Sequence, residues 1–103
     1  MIVVYSKNSV PIRLTDERWE HIVRRHPEMM GQEDKVQETL AEPETILEGD
    51  TGELMAVRFY SQTPLTRKHL VVVYKEISKT DGFAATAYFT REPSTRRRVL
   101  WKP

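Results

Sequence analysis

The chain offers three histidines, sixteen Lys and Arg side chains, strand-type hydroxyl residues and no cysteine. That set suits cleavage of RNA without a metal. A ribose 2′-OH attacks the adjacent phosphate. The step needs a general base, a general acid and positive charge around the phosphorane. Histidine changes charge near neutrality, Arg and Lys supply fixed charge, and Thr or Tyr hydroxyls donate to phosphate oxygens. The absence of cysteine excludes thiolate nucleophiles, thiolate metal sites and disulfides. His21 and His26 stand five apart, which is not the i, i+4 spacing of a zinc-binding helix. No metal and no cofactor are expected.

The candidates fall in three stretches. The first is LTDERWEHIVRRHPEM at 14–29, with His21 and His26 as acid–base candidates. At about 100° per residue, Trp19, Ile22, Val23 and His26 share one helix face, and Arg18, His21 and Arg25 form a cationic stripe away from it. His21 is the first choice for the acid or base, with Arg25 on a flanking phosphate. His26, on the apolar face before Pro27, reads more simply as a core or capping histidine. The second stretch is a strand with Arg58, followed by Arg67 and Lys68 at the rim of the next strand. The third is FAATAYFT at 83–90. Strict alternation puts Ala84, Thr86, Tyr88 and Thr90 on one side, and Arg58 is expected to face the same cleft as Thr86 and Tyr88. Both hydroxyl residues are also ordinary strand formers. Arg97, in the triple-arginine run at 96–98, is a further phosphate-binding candidate, although such runs are usually solvated. Trp101 could stack on a base, with packing on the sheet the simpler role.

These residues need elements to hold them. Thr15 is a good N-cap, Asp16 and Glu17 favour the first turn, and Leu14 with Trp19 makes a hydrophobic staple. Pro27 ends this helix near His26, giving a helix over about 15–26. Val36 and Leu40 at i, i+4 predict a second over 33–41, closed by Pro43. Strands follow at about 45–48, 53–60, 68–77 and 83–90, with GDTG at 49–52 and KTDG at 79–82 as turns. HLVVVYKEI is the most β-rich run and should be the central strand. Residues 2–5 and 11–14 are short extended pieces around SKNS, a hairpin or a loose edge. Residues 96–101 add a fifth strand or a surface tail. Helices followed by antiparallel strands give an α+β domain, two N-terminal helices on a four-stranded or five-stranded sheet.

A length of 103 residues suits a single domain. The net charge of +1 hides a polarity. Residues 1–55 hold six Lys or Arg against twelve Asp or Glu, and residues 56–103 hold ten against three. The second half therefore resembles an anion-binding surface, with nucleic acid the natural ligand, or else a solvated basic face. No apolar run approaches the roughly 20 residues of a membrane span. The start, MIVVYSKNSV, lacks the basic region and apolar length of a signal peptide. A cytoplasmic location is the expectation.

ERWEHIVRRHPEM, EPETILEGDTGELMAVRFY, TPLTRKHLVVVYKE and DGFAATAYFT together resemble the phage-associated branch of the barnase–EndoU–colicin–RelE-like (BECR-fold) nucleases. The resemblance runs from about Leu14 to Trp101. It implies a RelE-like α+β fold and metal-independent ribonuclease activity. It places His21 and His26 at the helix positions, Arg58 and Lys68 as basic strand residues, and Thr86 and Tyr88 as the Thr–x–Tyr pair. Small relatives often sit beside a small antitoxin-like gene, so the resemblance implies a toxin whose partners are RNA and a cognate antitoxin. The alternative from another class is an inactive module of the same fold that binds nucleic acid or a protein. A nuclease of this design needs His21, Arg58 and Thr86 to converge on one cleft, whereas a binding module needs only the positive surface.

Overall fold

The computed structural model describes all residues from Met1 to Pro103. Its elements are β1 (Ile2–Tyr5), β2 (Pro11–Leu14), α1 (Asp16–Arg25), a 3-10 turn (Pro27–Met29), α2 (Glu33–Ala41), β3 (Thr45–Glu48), β4 (Leu54–Phe59), β5 (His69–Ser78), β6 (Asp81–Thr90) and β7 (Val99–Trp101). The class is α+β as expected. The sheet, however, has seven strands in the order β1-β2-β6-β5-β4-β3-β7. The N-terminal pieces form a true hairpin, Ile2 opposite Leu14 and Tyr5 opposite Pro11. β2 then joins β6 in parallel at Arg13 and Phe83, and every other pairing is antiparallel. β7 extends the far edge by pairing with β3. β5 lies in the middle.

Local signals explain the helices. The Thr15 hydroxyl accepts from the Arg18 N–H at 3.1 Å, capping α1. His26 leaves helical geometry at φ −133°, ψ 78°, the extended region that a following proline imposes. Its N–H still reaches the Ile22 carbonyl at 2.7 Å. α1 packs on β6, and α2 on β5, β4 and β1. Ile22, Met29, Val36 and Leu40 seat the helical layer against Ile12, Leu70, Val72, Tyr74, Ala87 and Phe89. Each such fully buried aliphatic side chain contributes about 1.5–3 kcal/mol relative to exposure.

The sheet curls around α2. Six strand steps of about 4.8 Å would separate the edges of a flat sheet by roughly 29 Å. Instead the Lys7 ammonium, in the β1–β2 turn, lies 4.9 Å from the Trp101 ring on β7. That turn is held by the Ser6 hydroxyl, which donates to Glu76 at 2.5 Å, and by Asn8, which donates to the same carboxylate at 3.0 Å.

Two glycines set close turns and contacts. Gly52 adopts φ +91° in the β3–β4 turn. Gly82, expected in a turn, lies inside β6. The β5–β6 turn itself is formed by Lys79 and Thr80. A Cβ on Gly82 would stand 2.6 Å from the Lys75 carbonyl oxygen and 2.7 Å from Ile12 Cδ1, so glycine is what lets β2 and β6 approach.

One irregularity corrects the expected strand faces. Val73 is opposite Thr86 but Tyr74 is opposite Ala84, which leaves Ala85 as a bulge. The bulge puts Ala84 on the same buried face as Ala87 and Phe89, and not with Thr86 and Tyr88. Simple alternation through 83–90 therefore fails at its midpoint.

Candidate active site

After its bulge, β6 has no partner strand on the side away from β5, because β2 meets it only at Arg13 and Phe83. The end of α1 and the 3-10 turn take that place. His26 is thereby carried past the edge of β6. Its ring centroid lies 5.7 Å from that of Tyr88, with the planes inclined by 33°. His26 Nδ1 lies 3.8 Å from a Glu28 carboxylate oxygen. Glu28 is largely buried, its side chain 15% exposed, while His26 is one-third exposed. Histidine, carboxylate and phenol thus meet at one sheet edge.

Tyr88 sits on the sheet face away from the helices. Val71 is its neighbour on β5, and Leu47, Met55, Val57 and Val71 form a small second core beneath it. Residues 92–98 turn back over this face and enclose a pocket of about 280 Å³. Tyr88, Thr90 and Arg97 contribute polar groups to it, and Leu47, Met55 and Val71 its floor. Arg97 donates to Asp50 at 2.8 Å and to the Glu48 carbonyl at 3.2 Å. The Arg97 hydrogen bond holds the Asp50 carboxyl below its ordinary range. Burial pushes the Tyr88 phenol up, against the opposing pull of Arg97. Tyr88 therefore keeps its proton at neutral pH and can donate a hydrogen bond to an anionic oxygen.

One step along the same face, Phe59, His69 and Thr90 form a row across β4, β5 and β6. Phe59 meets His69 edge-on, with centroids 5.5 Å apart. His69 Nδ1 lies 2.9 Å from the Arg91 carbonyl oxygen. With Nδ1 donating to that carbonyl, Nε2 is the free nitrogen.

The sequence-derived candidates divide between this face and other parts of the molecule. His26, Thr86, Tyr88 and Arg97 come to this face. His21 does not. It is exposed on the outer side of α1, in a polar groove with Thr15, Glu17 and Arg18. Arg25 is exposed at the end of α1. Arg58 points to the helical side of the sheet, opposite to Thr86 and Tyr88. It donates to the Glu42 carbonyl at 2.6 Å and pairs with Glu38 at 3.5 Å, tying β4 to the end of α2. The expected cleft of His21, Arg58 and Thr86 is thus not formed. Alternation within each strand fixes no register between β6 and β4: Arg58 stands opposite Leu70, in the row of Phe89 on the helical face. Lys68 Nζ donates to the Ser61 carbonyl at 2.7 Å. Arg67 lies in the 61–67 loop, facing Arg91 across a shallow groove.

Sequence reasoning missed His69 and Glu28. His69 stands at the head of HLVVVY, where apolar residues on both faces hide its direction. Glu28 is one acidic residue among twelve in its half of the chain, and only the 3-10 turn brings it back to His26. No three His, Asp or Glu side chains come together with the geometry of a cation site. Comparison of the chain with protein-family models, with curated proteins and with solved structures gives no match in any of the three.

Proposed function

We propose that this chain is a metal-independent ribonuclease of the BECR type, working at the β6 edge on the sheet face away from the helices. The observation that carries the reading is the His26–Tyr88 contact, 5.7 Å between ring centroids, with Glu28 behind the histidine. His26 takes the proton of the attacking 2′-OH, and the Glu28 carboxylate favours the imidazolium that forms. The O2′–P bond forms as the P–O5′ bond breaks. Tyr88 and Thr86 donate to the non-bridging oxygens, and Arg97 offsets their charge. His69, one residue pair along the face, protonates the leaving 5′-oxygen. The products are a 2′,3′-cyclic phosphate and a 5′-hydroxyl. This places the catalytic histidine at 26, with His21 and Arg58 outside the centre. The same reading makes the protein the toxin of a pair, held inactive by a small antitoxin.

The second reading, a module that binds nucleic acid or protein without cutting, has its own support. Arg97 is already paired with Asp50, and the cleft first expected from His21, Arg58 and Thr86 does not form. One experiment separates the two. RNA is incubated with the wild type and with His26→Ala, His21→Ala and Tyr88→Phe, and its ends are analysed. The ribonuclease reading expects cyclic-phosphate ends, a loss of about 100-fold or more for His26→Ala, and a smaller loss for His21→Ala. Intact RNA with the wild type, or a loss in His21→Ala exceeding that in His26→Ala, sinks it.

A further inference from the structure

The row Phe59–His69–Thr90 lies beside the centre described above, yet Phe59 has no part in that chemistry. An aromatic ring on a sheet face is ordinarily buried. Phe59 is 48% exposed, although its strand neighbours Val57 and Met55 are covered. The ring is also fixed. His69 packs against it edge-on at 5.5 Å, and the Phe59 backbone N–H donates to the Glu44 carboxylate at 2.8 Å. The His69 ring is itself set by the Arg91 carbonyl at 2.9 Å.

Two arginines flank this row in the chain, Arg67 two residues before His69 and Arg91 directly after Thr90. Arg67 and Arg91 line one groove with Pro64, Leu65 and Thr66. Neither guanidinium takes part in an ion pair, whereas Arg13, Arg58, Arg97 and Arg98 all do. The groove is built around Arg67. The Thr63 hydroxyl lies 2.8 Å from the Arg67 carbonyl oxygen, and the neighbouring Lys68 is spent on the Ser61 carbonyl. An exposed aromatic ring, linked through His69 to the backbone of Arg91, and a groove with two guanidiniums outside any ion pair match the two parts of a nucleotide. Bases of any sequence stack on an aromatic face, and phosphates take up arginine.

We propose that Phe59, with Arg67 and Arg91, forms a subsite that stacks one base of a single-stranded RNA and binds the adjoining phosphate. The strand then runs from the His26–Tyr88 edge across β6 and β5 to β4. The subsite selects unpaired RNA, because a base inside a duplex cannot offer its face to Phe59. It makes no 2′-OH contact of its own, so it holds single-stranded DNA equally well. The assignment of the bound polymer rests on the ribonuclease reading, but the binding test does not depend on cleavage.

The test uses the His26→Ala protein, so that RNA is not consumed, with folding checked by circular dichroism. A fluorescent single-stranded RNA of about eight nucleotides, within the usual span of such sites, is titrated and followed by anisotropy. Phe59→Ala is expected to weaken binding by about 10-fold or more, and Phe59→Trp to restore it. Replacing both Arg67 and Arg91 with Ala should flatten the salt dependence of log K by about 0.7 for each phosphate that is no longer neutralised. DNA of the same sequence should bind like the RNA, and a blunt duplex more weakly. Affinity unchanged in Phe59→Ala, or a duplex bound as tightly as the single strand, overturns the subsite. Binding that follows these expectations while the wild type leaves RNA intact removes the ribonuclease reading and keeps the subsite. Cleavage by the wild type with binding indifferent to Phe59 removes only the subsite.

Discussion

Tyr74 is the largest fully buried side chain, and its hydroxyl has no hydrogen-bond partner. It lies on the helical face of the central strand, paired with Leu54 and Ala84. A buried hydroxyl without a partner forfeits its hydration and gains nothing in return. Phenylalanine keeps the ring and removes that penalty. Tyr74→Phe should therefore raise stability by about 1 kcal/mol, seen as a melting temperature higher by about 4–8 °C. An equal or lower melting temperature would mean that the hydroxyl is satisfied in solution. The contrast with Tyr60 is instructive. The Tyr60 hydroxyl donates to Glu38 at 2.7 Å and lies 3.3 Å from the Thr39 hydroxyl. The corresponding change there breaks a link between β4 and α2 rather than relieving a penalty.

At the scale of elements, β6 decides the geometry of the molecule. Gly82 brings it against β2, the bulge at Ala85 reverses its faces, and its free edge receives His26. Gly82→Ala would force a methyl group to within 2.6 Å of the Lys75 carbonyl and 2.7 Å of Ile12 Cδ1. Backbone on one side and a fully buried side chain on the other leave little room to adjust. The expected cost is about 1–3 kcal/mol of overpacking, measurable as a lower denaturant midpoint with an unchanged m-value. Both helices, and the four strands from β3 to β6, could be placed from sequence because caps, proline stops and apolar spacing are local. The β1–β2 hairpin and β7 depend on partners distant in the chain, so their place in the sheet was not legible. The candidate site was half legible for the same reason. Residue type alone points to Thr86, Tyr88 and Arg97. Which histidine reaches the strand edge depends on the packing of α1 there, and the turning of Arg58 toward α2 depends on the β4–β5 register. No local pattern encodes either.

For the whole molecule, the charge polarity along the chain becomes pairing between its halves. Arg58 meets Glu38, Arg97 meets Asp50 and Arg98 meets Glu48, each a second-half cation on a first-half carboxylate. The basic half is thus partly neutralised on folding, and the positive surface narrows to cations such as Arg67 and Arg91. These pairs are mostly exposed, so water and salt screen them and each adds little to stability. The tyrosines impose a stronger dependence on pH, at the alkaline end. Burial pushes Tyr60 up to about 12, and burial likewise raises Tyr74 and Tyr88. In the unfolded chain all three ionise near the ordinary value of about 10. Between those limits the unfolded state binds fewer protons than the folded state, so stability falls as pH rises. The contribution is intact below about pH 10 and is lost progressively from there toward 12 and beyond. Alkaline titration should therefore show most of the tyrosinate absorbance appearing together with the loss of circular dichroism, in one transition. Tyr74→Phe removes one of the three groups and should make the decline with pH shallower. Ionisation of all the tyrosines well before the dichroism changes would show that these side chains are not held from water as the fold requires.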